Sequence, residues 1–447
     1  VYAEVLLKIQ SYYVDTPNWA DLASYGLTSL EVALMSPEFR AINMPDTSET
    51  QIRASIMSTR ERLAQATVNN RHDAYIVASS TAKSLKETLG LSVQATSYEF
   101  VCGAISALDP YSAFMSSNQF SETMSQIEGN FVGLGVELRT HPDHLEIVSV
   151  IPGGSAGQGG IVKGDRIVSV DNQSVLEIGS ERAADLLRGP EDSFVTLSID
   201  RGVGPQAIRL ERSRVEIPSV DQVGIVDEAA GIGYIRLTNF QKTTSRDFDA
   251  ALWKLHRDGM RSLIVDVRGN PGGLLSASVE VADRFVNQGV IVSTRGRNPM
   301  EDYVHQANAA STWRVPLVVL VDENSASASE IFAAAIRDHK RGTIVGHQSY
   351  GKGSVQGIFP LNVSGGGVRL TTAKFYSPLG KAISEVGVAA DVLVQESAKF
   401  NSDINVGEDN GLRIGIQTAR RSVLVPSSLP TNNISRSVLH DSKVAER

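Results

Sequence analysis

The sequence predicts a mixed α/β (α+β) chain, and three changes of texture along it predict that class. Apolar residues recur at helical spacing to about residue 120, short glycine-punctuated strands follow, and strands then alternate with helices. The readings place a helical region at 1–123, a β-rich module at 124–213, a layered α/β unit at 214–395 and a polar, partly flexible tail at 396–447.

In chain order, "YAEVLLKIQSYYV", "LASYGLTSLEVAL" and "AYIVASSTAKSLKETL" carry the helical repeat, with the polar stretch of residues 44–70 expected to link two helical groups. "SALDPYSAFM" closes this region with a proline-bearing turn. "FVGLGVEL", "LEIVSVIPGG", "DRIVSVDNQSV" and "SFVTLSIDR" are short strands, with one helix at "SERAADLLRG". Beyond residue 215, "GIGYIRLTNF", "RSLIVDVRG", "VPLVVLVD", "GTIVG" and "GVRLTTAKFYSP" are strands. "RDFDAALWKLHRDG", "GGLLSASVEVADRFV" and "SEIFAAAIRDHKRG" are helices. The tail holds one more candidate helix, "NGLRIGIQTARR", before the flexible "PSSLPTNNISRS".

Composition excludes several functions. A net charge of −8 with no basic stripe argues against nucleic acid as partner. No apolar run reaches the ~18 residues of a membrane span. Eight scattered histidines and one cysteine predict no metal centre and no internal disulfide; Cys102, in "YEFVCGAIS", reads as a small core residue. Beginning at Val1 with no signal-peptide pattern, the chain reads as a mature or trimmed form that does not carry its own address.

Three segments carry chemistry. "GHQSYGKGS" resembles a phosphate loop, but Gly353 stands where a magnesium-binding hydroxyl is needed and a strand follows, so Lys352 requires another explanation. In "ENSASASE" a buried strand turns into a helix. A serine there meets unsatisfied N–H groups and the positive end of the helix dipole, which would stabilise an oxyanion. Ser325, Ser327 and Ser329 are all candidates, and Ser327 to Glu330 also reads as a plain capping box. No histidine has an obvious claim as base, whereas the loop with Lys352 can return to the same edge. To act, that lysine must fall from a pKa of ~10.4 toward ~7 to 8, a shift of about 4 kcal/mol that burial can supply. Gln356 is the nearest uncharged group able to orient the amine. In "DVRGNPGGLL", the N–H groups of Gly272 and Gly273 could complete an oxyanion hole with that of Ala328, or form only a glycine turn.

Taken together, "ALDPYSAFM", "DVRGNPGGLL", "SASASEIFAAAI", "VGHQSYGKGSVQ" and "LTTAKFYSPLGKAI" resemble, in order, the segments of the carboxy-terminal processing peptidases, or tail-specific proteases. The resemblance implies a crotonase-like layered protease core with an inserted PDZ domain, in which Ser327 is the nucleophile, Lys352 the general base and Gln356 its orienting partner. Ala328 with Gly272 or Gly273 would then bind the oxyanion. The "FVGLGVEL" segment resembles a PDZ carboxylate-binding loop, so Gly133, Leu134, Gly135 and Val136 would hold a peptide's C-terminus while the peptide adds as a strand. The expected partners are protein or peptide substrates with unstructured, apolar C-termini, and the expected location is extracytoplasmic, periplasmic or exported. No cofactor is implied. "GGSAGQGGIVKGD" is richer in glycine than the family's usual segment, and "GVAADV" has alanine where proline is usual. Two other readings are a catalytically silent PDZ-containing peptide-binding scaffold and an acyl-CoA enzyme of crotonase-like architecture, which would have no reason to carry a PDZ module.

Overall fold

The computed structural model describes residues 1–151, 153–308, 312–395 and 409–424. Its N-terminal region is helical, with α1 (Tyr2–Tyr12), α2 (Trp19–Met35), α3 (Pro37–Asn43), α4 (Glu49–Gln65), α5 (Arg71–Leu89) and α6 (Val93–Ser106). Leu6, Ile9, Leu30, Leu85 and Phe100 meet in its core. Helices α2 and α6 approach so closely that a Cβ on Gly103 would lie 2.2 Å from the Tyr25 carbonyl oxygen, so only glycine fits there.

Two expectations fail in this region. The supposed linker at 44–70 contains α4, which buries only Ile52 and Thr59 and so shows little apolar periodicity. Its start is fixed instead by a capping box between Ser48 and Gln51. Cys102 is exposed, because α6 turns its neighbours Val101 and Gly103 inward.

The "LDPYS" turn leads into β1 (Ala113–Met115) and α7 (Ser117–Glu128), and the expected junction at 123/124 falls inside that helix. The β-rich module follows as β2 (Asn130–Gly133), β3 (Val136–Thr140), β4 (Leu145–Val150), α8 (Ser155–Gln158), β5 (Arg166–Val170), β6 (Gln173–Ser174), α9 (Val175–Ile178), α10 (Ser180–Leu187), β7 (Phe194–Asp200), β8 (Pro205–Glu211) and β9 (Ser213–Glu216). Its main sheet runs β3-β4-β5-β7-β8, so β3 is an edge strand, while β2 and β9 pair as a separate ribbon that carries the chain in and out. Ala183 and Leu187 of α10 close the core over Leu145, Ile147 and Leu197. In the "KGDRI" turn, buried Asp165 accepts from the Val162 N–H at 3.0 Å and pairs with Arg201, whose hydrogen bond holds the carboxyl below its usual range.

The layered unit comprises β10 (Val220–Asp227), β11 (Ile232–Leu237), α11 (Thr244–Arg257), β12 (Ser262–Asp266), α12 (Leu275–Asp283), β13 (Val290–Gly296), β14 (Val304–Gln306), β15 (Leu317–Val321), α13 (Ala328–Asp338), β16 (Thr343–Gly346), β17 (Ser354–Pro360), β18 (Gly367–Tyr376), β19 (Val392–Leu393) and α14 (Asn410–Leu424). One sheet has the order β10-β11-β12-β15-β16-β19, parallel from β11 onward. Helices α11, α12 and α13 cover one face, and α14 covers the other through Leu412, Ile416 and Ala419. Burial on both faces explains why β12 and β15 read as continuous apolar runs.

The second sheet is antiparallel, ordered β1-β18-β13-β14 with β17 also on β18. Strand β1 therefore joins the "DPYS" turn to the core's own sheet, through pairs such as Phe114 with Val368. The candidate helix of the tail is α14; "PSSLPTNNISRS" lies outside the described residues. Among the described residues no helix is long and apolar enough to cross a membrane.

Candidate active site

Loops from the carboxyl ends of four parallel strands converge, as ligand sites in α/β sheets commonly do. Strand β11 delivers Asn239 and Phe240, β12 the Asn270-Pro-Gly-Gly turn, β15 the serine turn, and β16 the glycine loop with Lys352. The first two are joined by hydrogen bonds from the Phe240 N–H to the Gly272 carbonyl (2.8 Å) and from the Leu274 N–H to the Phe240 carbonyl (2.7 Å).

The three serines separate cleanly. Ser325 is fully buried and its hydroxyl donates to the Val267 carbonyl at 2.8 Å; Ser329 is fully buried and donates to the Asn270 carbonyl at 3.0 Å. Both hydroxyls fasten the serine turn to the Asn270 turn. Ser327 is only partly buried and holds φ 56°, ψ −113°, an uncommon conformation for a residue with a Cβ. It stands at the N-cap of α13, where the Ala328 N–H opens the helix.

Glu330 organises the centre. It is fully buried, and its Oε2 accepts from the Ser327 N–H at 2.8 Å and from the Lys352 N–H at 2.9 Å. Its Oε1 accepts from the Gly351 N–H and the Ser349 hydroxyl, each at 2.6 Å. The carboxylate half of the capping box foreseen in the sequence is thus present, and the same carboxylate also grips the returning loop. One oxygen shared by the Ser327 and Lys352 amides keeps them within about two hydrogen-bond lengths of each other. The Glu330 N–H bonds the Ser327 carbonyl at 2.9 Å.

The Lys352 ammonium lies 5.2 Å from the centre of the Tyr111 ring. Burial pushes its pKa below the ordinary lysine value, and Arg369 pushes it the same way; Glu330 and Asp109 oppose with a smaller effect. Gln356, just after a register shift in β17, donates from Nε2 to Ser354 Oγ at 3.0 Å and to Thr371 Oγ1 at 3.2 Å. It makes no hydrogen bond to Lys352 among the described contacts. Of the two histidines near the serine turn in sequence, the His339 ring bonds the Val290 carbonyl, and the His347 backbone N–H bonds that of Val321.

The two glycines differ. The Gly272 N–H is taken by the Asn270 side-chain oxygen at 2.9 Å, and its Cα presses on the serine turn: a Cβ there would lie 2.8 Å from Ser327 Cβ. Gly273 sits at φ +135°, where a Cβ would lie 2.1 Å from the Phe240 carbonyl oxygen. No hydrogen bond from the N–H of Gly273 or Ala328 occurs among the described contacts, so these two donors remain available. In the β-rich module, Gly133, Leu134 and Gly135 are buried and Val136 is partly so. The Leu134 and Gly135 carbonyls are bonded by Ala156 and Ile151 N–H groups, at 2.9 and 2.8 Å.

Sequence reasoning overlooked the linking role of Glu330, although S-x-x-E was visible, and the place of Asp109 and Thr371 behind Gln356.

Comparison with known proteins adds the following. Residues 231–394 match the profile of Peptidase family S41, and residues 146–201 that of a PDZ domain. The carboxy-terminal-processing protease of Bartonella bacilliformis is 37% identical over 316 residues, covering 68% of this chain and 72% of that protein. The carboxyl-terminal-processing protease of Synechocystis sp. is 28% identical over 409 residues, covering 89% and 90%. Among solved structures, a photosystem II D1 C-terminal processing protease aligns over 96% of this chain and 97% of its own, with 24% identity and a TM-score of 0.47.

Proposed function

The chain belongs to peptidase family S41, as a carboxy-terminal-processing serine peptidase with a PDZ domain, and from that premise we propose that it captures unstructured C-terminal tails and cuts them through a Ser327–Lys352 dyad. The observation that carries the reading is the Glu330 carboxylate, which binds the backbone of both residues on one oxygen.

The β-rich module from β2 to β9 acts as the capture unit. A substrate tail adds as a strand along the open edge of β3, its terminal carboxylate received by the 133–136 loop and its last apolar side chains packed toward α10. Residues 214–395 cut. Neutral Lys352 takes the Ser327 hydroxyl proton as the oxygen attacks the scissile carbonyl, and the oxyanion is held by the N–H groups of Ala328 and Gly273. The protonated lysine returns its proton to the departing amine, leaving an ester on Ser327. A water then attacks the ester as it gives a proton to Lys352, and the lysine passes that proton to the departing Ser327 oxygen, which releases the acid and restores both the serine hydroxyl and the neutral amine. Such processing would act outside the cytoplasm, as the resemblance implies.

The test is incubation of the protein and its Ser327→Ala and Lys352→Ala variants with an unfolded reporter bearing an apolar C-terminal tag. Cleavage by the parent and loss in both variants is expected; full cleavage by either variant overturns the dyad. Tag binding by the parent without cleavage would favour the silent scaffold.

A further inference from the structure

The Gln356 amide is fixed from behind by a chain of hydrogen bonds with only one consistent polarity. Thr371 Oγ1, 4% exposed on β18, donates to Asp109 Oδ1 at 3.0 Å. Asp109 also accepts from the Tyr111 N–H (2.8 Å), the Ser112 N–H (3.0 Å) and the Ser112 hydroxyl (2.7 Å). A carboxylate only accepts, so the Thr371 hydroxyl commits its single proton to Asp109 and meets Gln356 with a lone pair. Gln356 must therefore turn its NH2 toward Thr371, as it does at 3.2 Å, and its carbonyl oxygen the other way. The turn that supplies Asp109 also places the Tyr111 ring beside the Lys352 ammonium, so one short segment reaches both partners.

We propose that Asp109 and Thr371 are positioning residues for peptide cleavage: the relay Asp109–Thr371–Gln356 keeps the Gln356 carbonyl, which is not bonded to Lys352 among the described contacts, turned so that it accepts from the Lys352 amine during the reaction and holds that amine toward Ser327. The relay rests on the reading of Lys352 as the base. It gives the "LDPYS" segment a role in the reaction, reached through β1, which brings the turn against β18. The groups facing Lys352 are Arg369 from β18, Glu330 from α13, and Asp109 and Tyr111 from the turn. Replacing Thr371 by valine removes none of these four charges or rings, and Asp109 keeps its bonds from Tyr111 and Ser112, so a change in the lysine's titration reports chiefly the amide.

The experiment compares steady-state kinetics and pH profiles of Thr371→Val, Thr371→Ser, Gln356→Ala, the Thr371→Val/Gln356→Ala double variant and Lys352→Ala. Thr371→Val lowers kcat about tenfold or more with KM within about twofold, since a misdirected base costs rate rather than binding. Its alkaline-rising limb moves to lower pH, because an amide free to turn its NH2 toward the lysine disfavours the ammonium. Thr371→Ser keeps most of the parent's rate, and the double variant is no slower than Gln356→Ala alone. Asp109→Ala and Asp109→Asn give a second pair. The alanine variant loses rate, while the asparagine can keep its carbonyl toward Thr371, turn its amide to the Ser112 hydroxyl, and stay active. Parent-like kcat and limb in Thr371→Val, or losses that multiply in the double variant, overturn the relay. Full activity in Lys352→Ala overturns the reading beneath it instead.

Discussion

Replacing Glu330 by glutamine tests how far the centre depends on one carboxylate. The side chain keeps its size, but one of its two oxygens becomes an NH2 group. If the nitrogen takes the Oε2 position, the Ser327 and Lys352 N–H groups both lose their acceptor; if it takes Oε1, Ser349 can rotate but the Gly351 N–H cannot. At least one buried amide is stranded, at about 1–3 kcal/mol, and the surviving bonds lose roughly 1 kcal/mol each with the charge. Relief from burying a carboxylate offsets part of this, leaving a net destabilisation of about 2–4 kcal/mol. Displacement of the Lys352 loop by about 1 Å costs on the order of a hundredfold in rate. The assay pairs a denaturant midpoint with kcat/KM on the unfolded reporter. A folded Glu330→Gln enzyme that cuts at the parent's rate refutes the idea that this carboxylate sets the geometry of Ser327 and Lys352.

Other outcomes follow from the same geometry. Activity rises with pH as Lys352 loses its proton, with the inflection below the ordinary lysine value because burial and Arg369 depress it; a rate flat across the neutral and alkaline range, followed by reporter cleavage, contradicts this. Ser325→Ala and Ser329→Ala lose about 1–2 kcal/mol of stability yet keep their activity, while Ser327→Ala keeps stability and loses activity, as parallel melts and cleavage assays will show. Gly273→Ala forces a Cβ onto the Phe240 carbonyl and lowers kcat by about tenfold or more, measured on the same reporter. Asp409→Asn weakens the pair with buried Arg268 that anchors α14 and costs about 2 kcal/mol by denaturant melt. Although burial opposes it, Arg268 holds the Asp409 carboxyl below its usual range, so the pair's contribution is present above the unfolded carboxylate value and disappears as pH falls below about 4.

The alternating strands and helices of the core were legible because burial on both faces of β12 and β15 imposes continuous apolar runs, and glycines mark the turns. Helix α4 was not, because a helix resting on Ile52 and Thr59 leaves almost no periodic signal; its capping box was the better clue. Cys102 misled for a related reason: in an α6 otherwise dense in apolar residues, phase rather than polarity decides which side chain faces out. At the site, local chemistry offered three equal serines, and only the tertiary partners of Ser325 and Ser329 distinguish them from Ser327. Gly272 and Gly273 likewise look alike until the Asn270 side chain claims one amide. Long-range ties such as Glu330 to Lys352 and Thr371 to Asp109 join distant parts of the chain, which no local pattern announces.

The most direct measurement is intact-mass spectrometry of enzyme quenched in acid during turnover, followed by fragmentation to locate any adduct. The dyad mechanism predicts an added mass equal to the N-terminal product fragment, carried on Ser327 and absent from Ser327→Ala. An adduct on another residue, or cleavage by Ser327→Ala at the parent's rate, contradicts it.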